Sequence, residues 1–121
     1  MDKLDHIFAL QGSFQEKLRK ERHLEAVPME EWLQKHTLAM ISELSELLDE
    51  VNFKWWKNPK EIDTAAVQEE LSDIMHFFVS MCIDAGMSAE DLYQVYVGKN
   101  KENFRRQDGQ SIKPGYAVAE K

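Results

Sequence analysis

The stretch Glu69–Phe78, "EELSDIMHFF", decides the fold. On a helix each residue turns about 100° from the last. Leu71, Ile74, Met75, Phe78 and Cys82 then share one broad apolar face, with Phe77 and Met81 on its flank. Glu70 projects between Phe77 and Met81, inside that stripe, and Asp73 falls at its edge. Carboxylates are almost never buried unpaired, so these two call for a partner. That partner is either a lysine or arginine, or a cation taken from solution.

Upstream, "ELSELLDE" (Glu43–Glu50) sets Glu43, Glu46 and Glu50 at i, i+3, i+7 on one strip beside Leu47. A loop of roughly ten residues joins this helix to the next, short enough for an antiparallel pair. Glu43 and Glu46 can therefore face Glu70 and Asp73. Four carboxylates brought together repel, and their pKa values rise unless cations sit among them. Oxygen-only ligands suit a hard cation, Mg²⁺ or Mn²⁺. Glu50 and Glu69 read as solvated surface, and Glu43 and Glu46 taken alone are equally compatible with surface.

Apolar periodicity predicts four helices and no strand. The first runs from about Lys3 to Glu21, with Leu4, Ile7, Phe8, Leu10, Phe14 and Leu18 on one face. The second runs from about Pro28, which suits a first helical position, to Phe53. Its stripe is Trp32, Leu33, Leu38, Ile41, Leu44, Leu48 and Val51. Asn58-Pro59 breaks the pattern. Asp63 or Thr64 caps the third helix, which reaches about Asp84, and Gly86 stops it. Ser88 with Asp91 forms a capping pair for the fourth, which ends near Arg106. The expected fold is all-α, an antiparallel four-helix bundle-like domain over residues 1–107, with a tail over 108–121.

Composition limits the function. The 121 residues suit one domain, 43% are apolar, and the net charge of -7 disfavours a nucleic-acid polymer as partner. The one cysteine, Cys82, excludes a disulfide framework, and a cytoplasmic location is the simplest reading. No apolar run reaches the roughly 18 residues of a membrane span. "MDKLDHIFALQG" is too acidic and amphipathic for a signal peptide.

Lys99, Asn103 and Arg106 share one face of the fourth helix at i, i+4, i+7. Two cations flanking an amide donor can clamp a phosphate chain, although a solvated basic patch near a helix C-terminus has the same pattern. Lys54 and Lys57 flank Trp55 and Trp56 and could reach phosphates, or simply be loop lysines. Gln11 and Gln15, one turn apart, read in isolation as surface. His76 follows Asp73 by nearly one turn and is either a support for the acids or merely packed.

The ExxE helix followed after about two dozen residues by ExxD resembles the all-α nucleoside triphosphate (NTP) pyrophosphohydrolases, which include MazG-like enzymes and the dimeric dUTPases. "FKWWKN" (Phe53–Asn58) and "YVGKNKENFRRQD" (Tyr96–Asp108) resemble motifs of the dimeric dUTPases. The resemblance implies Mg²⁺-dependent cleavage of dUTP to dUMP and pyrophosphate. Glu43, Glu46, Glu70 and Asp73 would hold the metal, and Glu46 would orient the attacking water. Gln11 and Gln15 would read the base. Lys57, Lys99, Asn103 and Arg106 would bind phosphate, in a homodimer or tetramer. Two departures stand out: only "DAGMSAED" separates the ExxD and GKN helices, and Gly115-Tyr116 comes late. The alternatives are a MazG-like enzyme acting on dCTP or a non-standard nucleotide, and a non-catalytic helical adaptor. A di-iron bundle needs Glu-x-x-His pairs, which the sequence lacks.

Overall fold

The computed structural model describes residues 1–117 and is all-α: α1 (Lys3–Glu21), α2 (Met29–Glu50), α3 (Thr64–Asp84) and α4 (Ala89–Gln107). Residues 118–121 of the expected tail lie outside the described residues. Two compact units result, Met1–Met87 with the first three helices and a second that begins at Ser88. Among the described residues, no helix is long and apolar enough to cross a membrane.

Each helix starts where local chemistry dictates. Reciprocal capping boxes open α1 (Asp2 with Asp5) and α4 (Ser88 with Asp91), and the Asp63 side chain accepts from the Ala66 N–H at the start of α3. Pro28 stands one place earlier than expected, as the N-cap of α2. The ends are equally local. His23 (φ 55°), Asn52 (φ 60°), Gly86 (φ 78°) and Gly109 (φ 72°) each adopt the left-handed conformation just past a helix. The next N–H then bonds back to the helix: Leu24 to Arg19 O, Phe53 to Leu48 O, Met87 to Cys82 O, Gln110 to Arg105 O. This is the Schellman closure at all four C-termini of the described helices. It ends α2 at Glu50, short of the expected Phe53, because asparagine tolerates the left-handed turn.

In the three-helix unit α2 packs along α3, and α1 packs on α3. Partners on α1 and α3 advance together, Gln11 with Ser80 and Arg19 with Asp84, so these two helices run in the same direction. His36, early in α2, meets Asp84 at the end of α3, so α2 runs antiparallel.

The buried layer differs from the expected stripes. Phe8, Trp32 and Cys82 are buried as anticipated and Val79 joins them, but α1 also buries Gln11 and Gln15 while Leu10 and Phe14 stay exposed. On α2, Leu38, Ile41, Leu44 and Leu48 are exposed, Leu38 by 68%, as is Val51 just past its end. The reason is a polar node that turns the helices. Asp84, its carboxylate 1% exposed, accepts from Arg19 Nη2 and meets His36 Nδ1 at 2.7 Å, with Gln15 Nε2 at 3.5 Å. Gln15 Nε2 also donates to Ser80 O (3.2 Å), and Gln11 Nε2 to Ser80 Oγ (2.7 Å). The Arg19 guanidinium lies 4.2 Å from the Trp32 ring centroid, and Trp32 stacks on His36 at 5.2 Å. Three helices are thus joined through one carboxylate.

Removing one partner of a buried ion pair strands the other charge, at a cost of roughly 3–5 kcal/mol. Asp84→Ala should destabilise the protein by about that amount in urea denaturation. A loss under about 1 kcal/mol would place the node among ordinary surface pairs.

Candidate active site

Glu43, on the second half of α2, faces α3 because Trp32 and His36, eleven and seven residues earlier, already fix that face inward. Glu46 follows one turn on. Glu70 stands on the first half of α3, where the antiparallel course of the two helices brings it opposite. One carboxylate oxygen from each of Glu43, Glu46 and Glu70 lies within 4.8 Å of the other two. Glu43 and Glu70 are half-buried, and Glu46 is exposed. Asp73 is exposed and is not one of the converging three, although its charge is felt at Glu70.

Among the described residues, none of the three converging acids pairs with a lysine, arginine or histidine. The ion-pair partner that the sequence left open for Glu70 is therefore not there. Glu43 Oε2 and Glu70 Oε2 are buried without a hydrogen-bond donor. Two ionised carboxylates offer only acceptors, so neither can satisfy the other. The Glu70 pKa is pushed from the ordinary 4.5 up to about 7, first by loss of hydration, then by the neighbouring Glu43 carboxyl and by repulsion from Glu46, Glu43 and Asp73. Orphaned buried oxygens in an all-oxygen donor set are what a hard divalent cation would satisfy, so the residues present fit a metal.

Gln11 and Gln15, the expected base readers, are buried between α1 and α3 in the bonds already described. Gln11 also lines an open cavity of about 150 Å³ with Ile7, Ser72, Met75, His76 and Val79. His76 Nδ1 lies 2.8 Å from Ser72 O. A carbonyl only accepts, so Nδ1 carries the hydrogen and Nε2 is the acceptor in the neutral ring. Lys57 is exposed in the loop after α2 and lines a cavity of about 370 Å³ with Asn52, Lys54 and Lys60. Asn52 holds this loop: its side chain accepts from Lys60 N (2.9 Å) and donates to Lys60 O (3.0 Å).

In the second unit Lys99 and Asn103 are exposed along α4, and Arg106 is held by Glu102, its Nε donating to Oε1 at 3.1 Å. Three participants escaped the sequence reading. Asp84 had one signal, because an acid in the last turn opposes the helix dipole and so implies a cation beside it. Asn52 had one as well, since asparagine favours the left-handed position after a helix. Glu102 had none.

The raised value at Glu70 fixes a pH dependence. Between pH 4.5 and 7 the native protein holds a proton there that the unfolded chain has released. Metal-free stability from this group is therefore greatest at low pH, falls as pH rises to about 7, and is flat above. Melting temperatures in chelator across that range should show the fall. Glu70→Gln should remove it and should melt no lower than the parent at pH 8. An equal pH slope in that variant would mean that another group carries the titration.

The family model described as dUTPase matches residues 3–88. The dCTP pyrophosphatase of Enterobacteria phage T4 is 46% identical over 46 residues, 38% of this chain and 27% of its own length. The dCTP pyrophosphatase of Enterobacteria phage LZ5 is 48% identical over 46 residues, with the same shares. The chain thus spans about a quarter of the length of these curated relatives. No solved structure matches it significantly. The family match takes in α1, α2 and α3 whole, with every converging carboxylate, and on that span the chain belongs to the all-α dUTPase family.

Proposed function

We propose that this protein is a Mg²⁺-dependent nucleoside triphosphate pyrophosphohydrolase acting on a pyrimidine deoxynucleotide, dUTP first and dCTP as the second reading. The observation that carries it is the convergence of Glu43, Glu46 and Glu70 with two buried oxygens lacking donors. Glu43, Glu46 and Glu70 would hold the ion, joined by Asp73 from the next turn of α3. Bound there, Mg²⁺ supplies charge neutralisation for the phosphate oxygens and Lewis acidity. Glu46, the exposed member of the three, would accept a proton from a water attacking phosphorus. Lys57, Lys99, Asn103 and Arg106 would neutralise and position the triphosphate.

The cavity between α1 and α3 supports a small base. At about 150 Å³ it falls below the roughly 300 Å³ where pockets for larger ligands begin. Gln11, Ser72 and His76 supply its polar groups, and His76 lies six residues past Glu70, about 9 Å along the helix. Family membership favours dUTP. The names of the phage relatives favour dCTP. A helical adaptor without catalysis would have no use for unpaired buried acids.

Hydrolysis of dUTP, dCTP, dTTP and the ribonucleotides, with Mg²⁺ and with EDTA, tests the reading. Turnover of dUTP or dCTP to monophosphate and pyrophosphate should need the metal, and Glu43→Gln should lose more than about 100-fold. Full activity in EDTA would sink it. Equal rates on dUTP and dTTP would move the assignment to the broader MazG-like class.

The chain would act as a homodimer or a tetramer built from dimers. Ile41, Leu44 and Leu48 on α2, Val51 just past its end, and Leu71, Met75 and Phe78 on α3 are all exposed apolar residues of the paired helices. Apolar faces of that kind mark interfaces in soluble proteins. Sedimentation at micromolar concentration should give at least a dimer, and Leu44→Glu with Leu48→Glu should shift it toward monomer. A parent protein already monomeric and fully active would remove the second copy from the mechanism.

A further inference from the structure

The second unit holds one carboxylate whose every acceptor position is taken. Glu102 Oε2 receives Arg105 Nε (3.1 Å) and Nη2 (2.8 Å). Glu102 Oε1 receives Arg106 Nε (3.1 Å) and Ser111 Oγ (2.6 Å). An ionised carboxylate has about four such positions, so Glu102 is saturated and fixed. Ser111 reaches it because Gly109, at φ 72°, turns the chain back over the end of α4. Tyr116, further along the same segment, sets its ring 5.6 Å from the Arg106 guanidinium carbon.

What this leaves open matters more than what it closes. Arg106 gives Glu102 only its Nε. Among the described residues its two Nη groups, which carry four N–H donors, make no hydrogen bond. A guanidinium gripped at Nε and covered on one face keeps its outward fork at a set angle, and that fork matches two oxygens of a phosphate.

We propose that Glu102, locked by Ser111, is a positioning residue that presents the Arg106 fork to the phosphate chain of the substrate. The inference rests on the reading of Arg106 as a phosphate ligand. Glu102 serves this at any working pH, because the Ser111 hydroxyl and then the Arg105 guanidinium hold its pKa down to about 2. Through the Ser111 contact the segment after α4 takes part in setting that fork.

A mutant cycle separates the two readings. Glu102→Gln should raise KM for the triphosphate and weaken binding of inorganic pyrophosphate, each by about tenfold, with kcat changed far less. In an Arg106→Ala background the same change should have no further effect, because Glu102 acts through that arginine. Ser111→Ala should show part of the loss and Ser111→Thr should restore it. An unchanged KM in Glu102→Gln, beside a clear defect in Arg106→Ala, would overturn the inference and leave the phosphate reading standing. A tighter KM would also overturn it, since Glu102 would then be competing with substrate for Arg106. An equal loss in both backgrounds would make Glu102 merely structural. If Arg106→Ala itself binds pyrophosphate and turns over normally, the phosphate reading fails first. Should Arg106→Ala not fold, Arg106→Lys completes the cycle, since lysine lacks the Nε grip.

Discussion

One buried carboxylate holds the three-helix unit in its arrangement. Asp84 takes Arg19 from α1 and His36 from α2, and Gln15 borders the same carboxylate. A carboxylate taken out of water needs several donors to offset lost hydration, and here three helices combine to supply them. The angle of α1 follows. To bring Gln11, Gln15 and Arg19 onto α3 it must turn Leu10 and Phe14 outward. Trp32, between Arg19 and His36, closes the node with apolar area and a cation–π contact. With that end of the unit tied, the helices bring their other acids, Glu43, Glu46 and Glu70, together toward the opposite end.

The two carboxylate groups work in opposite ways. At Asp84 the protein supplies the cations itself, and the group is satisfied. At Glu70 it supplies none, and two oxygens are left without donors. A fold selected only for stability would have placed a lysine or a leucine there. Keeping three acids close without a counter-charge is intelligible as readiness for an ion from solution, at the expense of metal-free stability.

Much of this was legible from residue order because it is local. Caps at Asp63 and Ser88, the stop at Gly86 and the inward aim of Glu70 follow from neighbours within a turn or two. The inward aim of Gln11 and Gln15 was not legible. Their partners lie 65 to 69 residues away, and periodicity cannot tell a buried amide with a distant acceptor from a surface one. The α2 stripe shows a further limit. Leu44 and Leu48 form a true apolar face, but a pattern does not say which surface covers it. At the site, spacing put Glu43, Glu46 and Glu70 together, as found, and also placed Asp73 with them. One turn of helix keeps Asp73 near Glu70, while side-chain direction decides whether it converges.

The node also bears on how the chain reaches this fold. Helices α2 and α3 are neighbours in sequence, joined by 13 residues, whereas Arg19 and Asp84 stand 65 positions apart. Loop entropy makes the short closure early and the long one late. The α2–α3 hairpin is then the natural nucleus, with α1 docking afterwards onto a face that already presents Ser80 and Asp84. Contacts made after the folding barrier govern how fast a protein comes apart more than how fast it assembles. By that logic the Arg19–Asp84 bond is chiefly a brake on unfolding, and the lifetime of the folded three-helix unit is set at the end away from Glu43, Glu46 and Glu70.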